Sequence, residues 1–127
     1  MVMTKKANKP YVVSVVDDDK AVRDALGNLL ESVGLSVEPF ASAEEFVESD
    51  DVNNRACLIL DVQLPRMSGL ELQHHLSTKS DRLPIIFITA HANDEVRSRA
   101  LQAGAVSFLY KPFSSEELLS AVHSTLK

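Results

Sequence analysis

Tryptophan is absent from this chain, and cysteine occurs once, as Cys57. A single thiol builds no disulfide framework, so the fold must rest on a hydrophobic core. Cys57, inside an apolar run, reads as a reduced thiol serving as a small buried hydrophobe, which fits a cytoplasmic setting. Long apolar runs are missing as well. No stretch reaches the roughly 18 apolar residues that a membrane-spanning helix needs. Lys and Arg adjoin only at Lys5-Lys6, so the basic footprint of a nucleic-acid binder is lacking. The formal net charge is −5, and such an acidic balance suits a hard cation. With four glycines in all, no Gly-x-Gly-x-x-Gly and no Walker loop can be found, which removes the usual phosphate-cradling nucleotide modules. Residues 1–10 are polar and basic with no apolar signal core behind them, and are expected to be a flexible leader to one domain at 11–127.

What is present suffices for a folded domain. A chain of 127 residues buries roughly 68% of its unfolded surface and needs neither disulfide nor structural metal. Five apolar segments rich in β-branched residues are spaced along it: Tyr11–Val16, Ser36–Phe40, about Ala56–Asp61, Pro84–Thr89 and Val106–Tyr110. Most run apolar without alternation, the pattern of parallel strands covered on both faces. Helical segments lie between them. Asp19 can cap the first, in which Val22, Leu26, Leu29, Leu30 and Val33 recur at helical spacing and Gly34 stands at the C-terminal stop. Ser42-Ala43-Glu44-Glu45 and Ser114-Ser115-Glu116-Glu117 have capping-box spacing, and Asn93 or Asp94 can cap a fourth helix after the one at Gly69–Ser77. Five strands alternating with five helices predict an α/β fold with a parallel sheet and helices on both faces.

In such a sheet, ligands bind beyond the carboxyl ends of the strands, where the strand order reverses. The strand ends here read Asp17-Asp18, Asp61, Thr89 and Lys111. The stretch Leu58 to Gly69 is central: an apolar strand ends in a carboxylate, and a loop stiffened by Pro65 follows. If these ends are neighbours, three carboxylates, a hydroxyl and an ammonium converge. Two like charges 4 Å apart cost about 1 kcal/mol in water and about 4 kcal/mol at an effective dielectric of 20. A divalent cation with oxygen ligands relieves that, Mg²⁺ or Mn²⁺ before zinc. Lys111 supplies the counter-charge, pairing with Asp61 at rest, and Thr89 a donor. The set suits a tetrahedral anion, and a carboxylate nucleophile is a route to an aspartyl-phosphate.

These residues resemble the receiver domain of a two-component response regulator. The likeness runs from about Tyr11 to Leu126 through Val16-Asp17-Asp18, Leu60-Asp61 with Leu64-Pro65 and Ser68-Gly69, Ile88-Thr89-Ala90, and Tyr110-Lys111-Pro112-Phe113. It implies a flavodoxin-like doubly wound (βα)5 fold with a five-stranded sheet in the order 2-1-3-4-5. It implies that Asp61 accepts a phosphoryl group from a sensor histidine kinase. Asp18, Asp61 and the Gln63 carbonyl would ligate Mg²⁺, with Asp17 acting mostly through a water. Lys111, joined to Pro112 by a cis bond, would hold the phosphoryl group. Thr89 would swing toward it and Phe108 would turn inward, altering the face of the fourth helix, fifth strand and fifth helix so that it binds a partner or a second copy. Gln63 and His91 stand at the two positions that tune phosphate lifetime. The protein would be a signalling domain that promotes its own phosphorylation and dephosphorylation rather than an enzyme. Val37-Glu38-Pro39-Phe40 with Ser42-Ala43 and Phe46 is similar to the FixJ-like subgroup, whose members usually carry a DNA-binding output domain. The expectation is therefore a truncated transcriptional regulator that touches DNA only through a domain outside this chain; the alternative is a stand-alone receiver acting by protein–protein contact.

Two rivals are weaker. Haloacid dehalogenase-type phosphatases also use a strand-end Asp nucleophile, but typically carry a second Asp two residues on, where this chain has Gln63. A receiver-like interaction module without phosphorylation would not need the complete set of strand-end residues. The histidines make no metal site: His74 and His75 point about 100° apart on a helix, and His91 and His123 lack partners at ligand spacing.

Overall fold

The computed structural model describes residues 12–49, 55–79 and 83–126. The expected leader at 1–10 lies outside the described residues. Strand β1 is Val12–Val16, β2 Ser36–Phe40, β3 Arg55–Asp61, β4 Ile85–Thr89 and β5 Ser107–Tyr110. Helix α1 is Lys20–Ser32, α2 Ala43–Glu48, α3 Gly69–Ser77, α4 Asp94–Gln102 and α5 Ser115–His123. The strands form one parallel sheet in the order β2-β1-β3-β4-β5, the flavodoxin-like arrangement expected.

Each helix begins where a short polar side chain can take an orphan amide. Asp19 accepts from the Ala21 amide, Ser42 from Glu45, Ser68 from Glu71, Asn93 from Val96 and Ser114 from Glu117. Asn93, not Asp94, caps α4. Ser68 and Glu71 close a full capping box that the sequence reading passed over, although Ser-x-x-Glu was its signal. Helix α1 stops at Ser32. Val33, expected on its apolar stripe, is instead the C-cap, with φ −109 and ψ 18, and is 43% exposed. Its dihedrals have left the helix, so it no longer follows the 3.6-residue period. Gly34 follows at φ 90, a left-handed position natural to glycine. Pro84 stands just ahead of β4 rather than in it, and its carbonyl accepts the Leu58 amide at 2.9 Å.

Strand alternation splits the core between two faces. Val13, Val15, Cys57, Ile59, Ile86 and Ile88 pack against α1 and α5 through Leu26, Leu30, Leu118 and Val122. Leu58, Leu60, Phe87 and Phe108 pack the other way, against α2, α3 and α4 through Phe46, Leu72 and Ala100. Helices α1 and α3, which leave the adjacent strands β1 and β3, thus depart to opposite faces. The strand order reverses between β1 and β3, which makes their carboxyl ends the topological switch point where open α/β sheets bind ligands.

Candidate functional site

The register brings the strand ends together. Val16 lies beside Leu60, Asp61 beside Ile88, and Thr89 beside Tyr110, so Asp17, Asp61, Thr89 and Lys111 follow one another along a single edge. One carboxylate oxygen from each of Asp17, Asp18 and Asp61 lies within 4.8 Å of the others. Asp17 is fully buried, Asp61 is 6% exposed, and Asp18 faces solvent. The pocket is therefore closed at its floor and open at its mouth.

Each buried carboxylate is fixed by donors. Asp17 Oδ1 accepts the Asp19 amide at 2.9 Å, and its Oδ2 accepts Lys111 Nζ at 3.0 Å. The guanidinium of Arg23, from the first turn of α1, donates to the Asp17 carbonyl at 2.7 Å. Asp61 Oδ1 accepts the Gln63 amide at 3.1 Å, and its Oδ2 lies 3.6 Å from Lys111 Nζ. Lys111 thus pairs with Asp61 as expected, and the structure adds a second partner: the shorter, hydrogen-bonded contact is to Asp17, and Asp61 receives the longer one. The fully buried carboxylate has the greater need of a charged donor. Lys111 is positioned by its own amide, which donates to the Thr89 carbonyl at 2.7 Å, and its bond to Pro112 is cis, as expected.

The electrostatics follow from this packing. Burial, then the neighbouring Asp17 charge, pushes the Asp61 carboxyl up to about 6, against the pull of Lys111 and the Gln63 amide. Burial alone would lower the Lys111 ammonium, but the hydrogen bond to Asp17 and the Asp61 charge outweigh it and hold it above its ordinary value. The donor set tests well for a hard divalent cation: the clustered side-chain oxygens are carboxylate, one is exposed for exchange, and the charges of Asp17 and Asp18 both push the Asp61 carboxyl up. Among the described residues, this is the group of three acids close enough to share an ion.

Thr89 is 1% exposed. Its hydroxyl oxygen accepts the His91 amide at 3.1 Å, so at rest it is engaged with the loop that carries His91. Phe108 is 8% exposed, with its ring centroid 5.9 Å from Phe87 and 5.6 Å from Tyr110. The ring is buried in this structure. Gly69 is a further site residue that motif reading noted without its reason. A Cβ there would run into the Asp61 carbonyl oxygen and stand 2.9 Å from Val62 Cα, so α3 can start this close to the pocket only on glycine. His74, His75, His91 and His123 take no part in a cluster of metal-ligating groups among the described residues.

The family model for the response regulator receiver domain matches residues 13–123. The chain belongs to the response regulator receiver family. The receiver is 47% identical over 123 residues to the response regulator protein TodT of Pseudomonas putida, covering 95% of this chain and 53% of that protein. It is 39% identical over 114 residues to the transcriptional regulatory protein FixJ of Azorhizobium caulinodans, covering 90% of this chain and 54% of that one. The solved structure of response regulator StyR matches it with a TM-score of 0.86 at 47% identity, over 93% of this chain and 60% of that chain. The FixJ-like resemblance therefore holds, and the chain spans about half the length of the curated relatives it matches. No helix among the described residues is long and apolar enough to cross a membrane.

Proposed function

We propose that this receiver is a phosphorylation-dependent switch in which Asp61 accepts a phosphoryl group from a phosphohistidine of a sensor histidine kinase. The observation that carries this reading is the single ammonium of Lys111 set between Asp17 at 3.0 Å and Asp61 at 3.6 Å, beside a third acid. An Asp61 oxygen attacks phosphorus, the P–O bond forms as the P–N bond breaks, and the imidazole nitrogen leaves with the electron pair and takes up a proton. Asp18, Asp61 and the Gln63 carbonyl would hold Mg²⁺, or Mn²⁺ in its place, with Asp17 reaching it through a water. When bound, the cation neutralises the charge of the transferring group and of the acids around it. The residues do the rest. Lys111 binds the phosphoryl oxygens, and the gap to Asp61 leaves its Nζ free to shift from the acid to the incoming anion. Asp17 keeps Lys111 at hand, and Thr89 gives up its loop contact to donate to the new group.

An acyl phosphate carries about −1.5 to −2 where the Asp61 carboxylate carried −1, a net gain of about −0.5 to −1 in a pocket that sets one ammonium against three carboxylates. Thr89 on β4 and Phe108 on β5 lead from the pocket to the α4-β5-α5 face, where the change would be read as dimerisation or as release of an output domain. A shift from 1:99 to 99:1 needs about 5.5 kcal/mol of differential binding. Relatives named as transcriptional regulators support a transcriptional output, with DNA contacted through that domain and no membrane involved. We place the protein in the cytoplasm. The test is intact mass after incubation with acetyl phosphate, with and without Mg²⁺. One adduct of about 80 Da, dependent on Mg²⁺ and lost in Asp61→Asn, is expected. A parent protein that gains no adduct and binds no beryllofluoride refutes the switch and leaves an interaction module.

A further inference from the structure

The loop at 63–68 carries Gln63, the residue assigned above to lend a carbonyl to the cation. The loop's two ends are tied locally: the Gln63 amide donates to Asp61, and the Ser68 amide donates to Glu71. Its middle is tied from another element. Glu44, in the first turn of α2, accepts the Met67 amide on Oε2 at 2.9 Å, and its Oε1 lies 3.6 Å from Arg66 Nη2. Arg66 itself stands at φ 64, a left-handed conformation unfavourable to any residue with a Cβ, so this turn of the loop is held by contacts rather than by its own preference. The Glu44 side chain is 33% exposed, and the Met67 amide is the main cause that holds its carboxyl below the usual carboxylate range. Helix α2 is a firm base for this reach: Ser42 caps it, Glu45 accepts the Ala41 amide, and Phe46 is buried in the core.

We infer that Glu44 is a positioning residue of the acidic pocket, bracing the 63–68 loop from α2 so that the Gln63 backbone stands where a cation between Asp18 and Asp61 meets it. The inference rests on the reading of that pocket as a Mg²⁺ site. Its mechanism is reach, not charge. An outer group that orients a metal ligand typically changes affinity by 10- to 100-fold when lost, and a brace on the ligand's loop belongs at about the 10-fold end.

The experiment is calorimetric titration of MgCl₂ alone into the cation-free protein, for the parent, Glu44→Gln and Glu44→Asp, each checked for native circular dichroism. Glu44→Gln keeps an oxygen acceptor at the same reach and should bind as the parent does. Glu44→Asp keeps the charge and suits a first helical turn, so it folds, but falls one bond short of the Met67 amide. It should lose affinity by on the order of 10-fold. The reverse order, with Glu44→Asp like the parent and Glu44→Gln weakened, would mean that Glu44 acts through its charge and overturns the inference. Equal affinity in all three overturns it as well. A parent that takes up no Mg²⁺ overturns the pocket reading itself, an outcome distinct from the other two.

Discussion

Replacing the phosphoacceptor candidate should make the cation-free domain more stable, not less. In Asp61→Asn the amide keeps an acceptor for the Gln63 amide, which sits 3.1 Å from Oδ1, and removes one charge from a group of three. The Asp61 side chain is 8% exposed, and its carboxyl is pushed from an ordinary 3.8 to about 6 by burial and then by Asp17. At about 1.4 kcal/mol per pKa unit, that displacement sets a ceiling of about 3 kcal/mol. The pocket mouth is open to water at Asp18, so screening brings the expected gain to about 1–2 kcal/mol. The sign follows from proton counting. The unfolded Asp61 has lost its proton above about pH 4 and the folded one keeps it to about pH 6, so the native state binds more protons in that window and stability falls as pH rises through it. The gain from Asp61→Asn should therefore be complete above about pH 6 and absent below about pH 4. For a domain of this size it amounts to roughly 4–8 °C in Tm. Differential scanning calorimetry in a chelating buffer at either end of the window reads it directly. Mg²⁺ should then reverse the order, because at 100 times its Kd a cation adds about 2.7 kcal/mol to the parent that binds it and far less to the variant. Equal or lower Tm for Asp61→Asn at neutral pH, or a difference that persists in acid, would refute the account of a strained acidic pocket.

Further outcomes follow from the same contacts. Lys111→Met leaves the fully buried Asp17 without its 3.0 Å partner and should cost about 1–3 kcal/mol in urea unfolding; adding Asp61→Asn should recover part of that, and a double-mutant cycle with no coupling would contradict the shared ammonium. Gly69→Ala should cost about 1–3 kcal/mol through overpacking against Asp61 and Val62, and should weaken MgCl₂ binding in calorimetry, whereas Gly27→Ala, which meets nothing within 4 Å, should not lower Tm. Cys57 is fully buried and its thiol is raised by burial, so a thiol reagent should label it no faster than the domain unfolds; rapid native labelling would place it wrongly.

The order and kind of every element could be read in the chain alone. Apolar runs, strand ends, capping spacings at Ser42 and Ser114, and the stop at Gly34 are local signals, because backbone groups near in sequence satisfy one another. That Asp17, Asp18, Asp61, Thr89 and Lys111 stand at strand ends and suit a cation and a tetrahedral anion was legible in the residues, whereas the strand order 2-1-3-4-5 and the finer roles came from likeness to a family. Local pattern says where strands end but not which ends are neighbours. What the tertiary structure alone decided are sums over segments far apart. Lys111 hydrogen-bonds Asp17, 94 residues away, as well as pairing with Asp61, because both carboxylates are buried and Asp17 most completely. Glu44 looks in the sequence like part of a helix cap, yet its carboxylate closes on an amide 23 residues later. The elevated Asp61 carboxyl is a property of the closed pocket, where burial and a second acid act together, and no stretch of sequence contains it. Val33 keeps the spacing of a core residue and still lies in solvent, since one turn of backbone after Ser32 outweighs the pattern.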